Sequence, residues 1–159
     1  MTASRAPPFV TALTIACCCL IQAYVYAFDV PLSGFAFSTK RIVNEKEFYR
    51  LLTSPFLHGS GMHLTMNMLS TYYLQGHLEA IHGSLPILYL TLLSILSNAA
   101  VFMSLAFFFH FLFRFDDPLL ESAIGYSGVI FTHITLAYRN RSSASVYGQF
   151  SVPGWTYPW

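Results

Sequence analysis

The placement of charge constrains this chain more than any other feature. Residues 6–28 carry no charged side chain, 51–113 carry Glu79 alone and 122–138 carry none, while seven of the fifteen charges crowd between Asp29 and Arg50. A helix rises about 1.5 Å per residue, so crossing a hydrocarbon core about 30 Å thick takes roughly 20 apolar residues. Four stretches suit that scale: 9–28, 62–78, 85–113 and 123–138. The expected fold class is therefore all-α, a polytopic membrane helical bundle of four spans, with 29–61 as a long structured first loop. The third stretch exceeds an upright crossing and should tilt or project beyond the bilayer. Gly83 and Pro86 separate it from the second.

Composition supports the same conclusion. Charged residues make up 9% of the 159, against about 25% in an average soluble domain, and hydrophobic residues 55%. The implied partner is the lipid bilayer. A net charge of +1 without a basic tract leaves nothing to neutralise a phosphate backbone, so no nucleic-acid partner is expected.

The first stretch has a rival reading as a signal peptide, with Arg5 as its basic end and Val25-Tyr26-Ala27 as a cleavage site. It outlasts the usual apolar region of about 7 to 15 residues, which favours a retained span and an integral, multi-pass protein. Lys40, Arg41, Lys46 and Arg50 in the loop outnumber Arg5, Arg139 and Arg141 at the flanks, and counting positive charges would put the loop in the cytoplasm. Acids count for little in that rule, and charge does not decide topology or organelle. Cys17, Cys18 and Cys19 are consecutive in the first span, where about 100° between neighbours forbids disulfide geometry, so they read as small packing residues. No metal or organic cofactor is expected.

Polar residues inside apolar helices carry the functional signal. His63, Asn67 and Ser70 lie on one face of the second span, a stripe that lipid would not tolerate. The plain alternative is hydrogen-bond glue between helices. His77 and His82 should be interfacial, and His58, His110 and His133 packing or interfacial histidines. On the fourth span Ser122, Gly125, Gly128, Thr132 and Thr135 recur at three- and four-residue steps, a small face that permits close helix approach. Ser127, set between glycines where a helix should begin, is also a candidate nucleophile, with helix-terminal amides able to stabilise developing negative charge. It is not a hydrolase nucleophile elbow, because Val129 stands where glycine would be needed.

The run Tyr49-Arg50-Leu51-Leu52-Thr53-Ser54-Pro55-Phe56-Leu57-His58, then His63 and Asn67, then Leu74-Gln75-Gly76-His77-Leu78-Glu79, then Gly125-Tyr126-Ser127-Gly128, resembles the rhomboid family of intramembrane serine proteases. The resemblance covers roughly 9–159, and Phe150-Ser151-Val152-Pro153 with Tyr157-Pro158-Trp159 is similar to the lead into a fifth helix of eukaryotic members. It implies Ser127 as nucleophile, His63 and Asn67 in the oxyanion hole together with the Ser127 N–H, Gly125 and Gly128 as motif glycines, and Arg50 and Glu79 as structural residues holding the first loop to the body. It implies single-span membrane protein substrates, an amino terminus in the cytoplasm and a site near the opposite face.

Family members carry the histidine of a Ser-His dyad on a sixth helix, and 1–159 reaches Trp159 without one, so the resemblance implies a partial rhomboid domain of four helices from a six-helix core. His63 is not expected to replace that base, since its matched role is to donate to the oxyanion. His133, six residues beyond Ser127, lies about 240° around the helix and should face away. Phe131 stands where some members have tyrosine. The expected function is that of a rhomboid-type serine endopeptidase, incomplete in this sequence. The alternatives are a non-catalytic rhomboid-like protein that binds transmembrane clients and a small channel or transporter subunit built around the polar face of the second span.

Overall fold

A computed structural model describes residues 8–113, 122–138, 143–146 and 150–153, which are predominantly helical. Arg5, Arg139, Arg141 and Tyr157 to Trp159 lie outside the described residues. Along the chain come α1 (Phe9–Ala27), the first-loop elements β1 (Phe37–Ser38), α2 (Thr39–Asn44) and α3 (Arg50–Thr53), then α4 (Gly61–Ser70) and α5 (Gly76–His82). They are followed by α6 (Ser84–Phe113), β2 (Ser122–Ala123) and α7 (Ser127–Tyr138), and by a hairpin of β3 (Ser143–Val146) and β4 (Phe150–Pro153). Helices α1 and α6 are long and apolar enough to cross a bilayer. A five-residue π turn, Thr71–Gln75, joins α4 to α5 without a break. Gly83 then ends the run with a φ of +88°, a conformation that favours glycine.

Three of the four apolar stretches are helical close to their sequence bounds, and the fourth is not. Helix α7 starts at Ser127 rather than at 123, and its 12 residues reach only about 18 Å. Two backbone features shorten it. Ser122 and Ala123 are drawn into antiparallel pairing with Ser38 and Phe37 of the first loop, and Gly125 takes a φ of +114° that no α-helix contains. Ser122 and Gly125 are therefore not part of a small helical face, which on α7 is left to Gly128, Thr132 and Thr135.

The N-terminus of α1 has no local cap, since Pro8 offers no side-chain acceptor. Glu79 supplies one from the middle of α5. Its two carboxylate oxygens accept from the Val10 and Thr11 amides at 2.8 Å and from the Thr11 hydroxyl at 2.7 Å, and the Ser84 hydroxyl adds a bond of 2.6 Å. A buried carboxylate at the positive end of a helix is favoured by the same partial charges that leave those amides unpaired. Glu79→Gln keeps the shape but loses the charge and an acceptor. It is expected to lower stability by roughly 2 to 4 kcal/mol, read as the unfolding midpoint of the full-length protein in detergent. A loss below about 0.5 kcal/mol would mean that the carboxylate does not hold α1.

The first loop is folded mainly by bonds to its own carbonyls. Arg50, 1% exposed, donates from Nη1 to the Ser33 and Ala36 oxygens at 2.8 and 2.7 Å and from Nε to Glu47. Tyr49 and Thr53 hydroxyls bond the Gly34 and Phe35 oxygens. Phe37 and Ile42 then pack with Ala99 of α6, flanked by Leu51, Phe102 and Ala123. Arg50 and Glu79 thus form two separate clasps, one closing the loop on itself and one tying α1 to α5 and α6.

Candidate active site

Ser127 is the first residue of α7, and its surroundings come from distant parts of the chain. The first loop fixes the approach to it: β1 pairs with β2, and the Gly125 amide donates to the Ser54 oxygen at 3.0 Å. Helix α4 covers the other side. A Cβ built on Gly125 would stand 2.7 Å from His63 Cε1 and 2.9 Å from Nε2. The absence of a side chain at 125 is what lets the imidazole lie directly on the turn that leads to Ser127.

The hydroxyl of Ser60 caps α4 by accepting from the His63 amide at 3.1 Å, which sets where His63 leaves the helix. Asn67, one turn on and buried, donates from Nδ2 to the His63 carbonyl at 2.8 Å. His58 stacks edge-on against His63 with ring centroids 5.1 Å apart. Burial, reinforced by the neighbouring His63, pushes the His58 imidazole down to about 4. It is therefore neutral at physiological pH, and neither ring nitrogen has a partner among the described residues.

Ser127 and Gly125 line a cavity of about 330 Å³ with Phe37, Leu51, Ser54, Phe102 and Asn98. A Cβ on Gly128 would meet the Asn98 amide at 3.0 Å. A helix N-terminus such as that of α7, whose Ser127, Gly128 and Val129 line this space, leaves its first backbone N–H groups without intrahelical partners and carries the positive end of the dipole. That is suitable for an oxyanion. Among the described residues no side chain hydrogen-bonds the Ser127 hydroxyl, and His133 is fully buried in α7 without a partner for either nitrogen. Phe131 is exposed, as are His77 and His82.

Sequence reasoning brings out Ser127, Gly125, Gly128, His63 and Asn67. The fold gathers Gly125 under His63 and sets Gly128 against Asn98. Reading the sequence missed Asn98, the lone carboxamide of the third apolar stretch, although an amide at that depth is itself a signal. Ser54 stood in the matching run without a role, because its contribution is a backbone oxygen and leaves no trace in residue type.

A helical membrane fold with a glycine-flanked serine opening a helix beneath a histidine defines the class of protein. The chain matches the Rhomboid domain family over residues 45–157. It is 32% identical to Rhomboid-like protein 15 of Arabidopsis thaliana over 98% of this chain and 40% of that protein. Identity to Rhomboid-related protein 4 of Mus musculus is 33% over 64% of the chain and 32% of the relative. The chain belongs to the rhomboid family and is an integral membrane protein. It spans about two fifths of the Arabidopsis relative and one third of the mouse one.

Proposed function

We propose that this chain forms the nucleophile and oxyanion side of a rhomboid-type intramembrane serine endopeptidase acting on the transmembrane segments of single-span membrane proteins. The observation that carries this reading is the seating of His63 on Gly125, two residues from Ser127, across 62 positions of sequence. In this reading residues 1–159 are part of a rhomboid domain that crosses the bilayer at 9–27, 61–82, 84–113 and, through α7, at 127–138.

The Ser127 oxygen attacks the scissile carbonyl, and its proton passes to a general base. The carbonyl oxygen becomes an oxyanion, held by the Ser127 N–H and by donors from His63 and Asn67. Collapse breaks the C–N bond as the base returns its proton to the leaving nitrogen. Water then hydrolyses the acyl-serine by the reverse proton path. Among the described residues no side chain serves as that base, and the reading assigns it to an imidazole that the full-length protein supplies from outside residues 1–159. Arg50 and Glu79 act at a distance by keeping the first loop and α1 in place. No metal or organic cofactor enters the scheme.

The test is covalent. A fluorophosphonate forms an oxygen–phosphorus bond with an activated serine and expels fluoride, so the full-length protein in membranes should be labelled on the peptide that contains Ser127. Labelling elsewhere, or none under conditions that label a control serine hydrolase, would sink the assignment.

A further inference from the structure

The π turn at Thr71–Gln75 and the residue that closes it serve no part of the scheme above, yet they reach the nucleophile. Eight residues of unbroken α-helix from Asn67 would carry Gln75 about 80° past the Asn67 line, and the extra residue of a π turn sets it back by roughly 100°. Gln75 therefore returns to within about 20° of the Asn67 line. There it is fully buried, and its Oε1 accepts from the Tyr126 hydroxyl at 3.0 Å. Its Nε2 points to the Thr14 hydroxyl of α1, 3.5 Å away.

Tyr126 is the residue immediately before Ser127, and its carbonyl accepts the first bond of α7, from Ile130 at 3.1 Å. Its ring is buried among Ile95, Val129, Ile130 and Ile134, with Phe56 and Leu74 packed against that cluster. Gly125 before it and Gly128 beyond Ser127 carry no side chains, so Tyr126 is the one long lever that the Gly125-Tyr126-Ser127-Gly128 turn possesses. Hydrophobic packing alone would hold the ring without fixing its rotation. The hydroxyl bond to a rigid helix does that.

We infer that Gln75, presented by the π turn and steadied by Thr14, is a positioning residue that acts through Tyr126 to set the direction of Ser127 relative to His63. The inference rests on the proposed role of Ser127. Torsional freedom at Tyr126 would pass directly to the Ser127 Cα–Cβ bond, while His63 is held independently through Ser60 and α4. The two halves of the site, which meet where His63 lies on Gly125, are thus also registered through α1 and the α4 to α5 run.

Tyr126→Phe removes one oxygen and leaves the ring in place. In the full-length protein it is expected to lower kcat for a single-span substrate about tenfold, with KM changed less than about twofold. Gln75→Leu should do the same, and the double variant should be no slower than either single one, since both break one link. A purely structural bond would instead lower the melting temperature and the folded yield at an unchanged rate per folded molecule, and that result would overturn the inference.

A second measurement needs no catalysis. In a Ser127→Cys background, adding Tyr126→Phe should change the rate of thiol alkylation by a small maleimide at least about threefold, because access to an oriented side chain depends on its direction. An unchanged rate overturns the positioning role. If the parent neither cleaves nor takes the fluorophosphonate, the nucleophile reading falls by itself, and the alkylation comparison still decides whether Gln75 and Tyr126 orient position 127.

Discussion

Full-length protein carrying Ser127→Ala is expected to insert and fold as the parent does while its cleavage of a single-span substrate falls by about six orders of magnitude. The two halves of that expectation have different grounds. Folding is spared because no described side chain hydrogen-bonds the Ser127 hydroxyl and the residue borders a cavity, so removing one oxygen leaves no buried partner unsatisfied. Catalysis is not spared, because without the oxygen no acyl intermediate can form, and the donors around the site are left to polarise a carbonyl that nothing attacks. The checks are a quantitative gel assay of product and a melting curve of the same preparation. Residual cleavage above about 1% of the parent would remove Ser127 from the mechanism. A large drop in melting temperature would show that the hydroxyl holds structure instead.

Gly125→Ala is the second large effect, and here stability and activity should fall together. Position 125 has a φ of +114°, where a side chain is strained whatever the available space. Its Cβ would also fall 2.7 Å from His63 Cε1, so the imidazole must move. His63 leaves a capped helix and is backed by His58, which gives the ring little room to yield. A loss of roughly 2 to 4 kcal/mol and a fall of at least about a hundredfold in kcat are expected, measured by unfolding midpoint and by substrate turnover. Gly128→Ala is the internal control. Its Cβ would meet the Asn98 amide at 3.0 Å, but Asn98 is exposed and at the end of a side chain that can swing away. That variant should cost no more than about 1 kcal/mol. Equal penalties at 125 and 128 would mean that the His63 contact does not account for the glycine.

The clasp at Arg50 explains how the first loop can carry nearly half of the chain's charged residues and still belong to the site. Arg50 bonds backbone carbonyls within the loop, and Phe37 and Ile42 then dock it on α6. The docked loop presents two backbone handles to the serine turn, the β1 pairing and the Ser54 oxygen. A charged segment flanked by apolar helices is in this way a structural part of the serine's surroundings rather than a connector.

Much of this protein was legible from one-dimensional pattern. Charge-free runs define α1 and α6 because lipid penalises every uncompensated charge, and that penalty depends on residue type alone. The step of four between His63 and Asn67 is equally local, since both lie on the uninterrupted α-helix before the π turn. Ser127 between its glycines was visible as a candidate because a close approach of backbones leaves glycine as its signature.

What the sequence by itself determined was therefore the solvent of the chain, its helical class and the polar residues that such a solvent would not leave idle. What only the tertiary structure decided was where α7 begins, that His63 sits on Gly125, that Asn98 meets Gly128 and that Gln75 holds Tyr126. Each of these depends on partners 30 to 86 positions apart. A strand of two residues, a single wide turn and a backbone oxygen from Ser54 have no periodicity to read, and their energy exists only once the helices have packed and brought both partners to the same place.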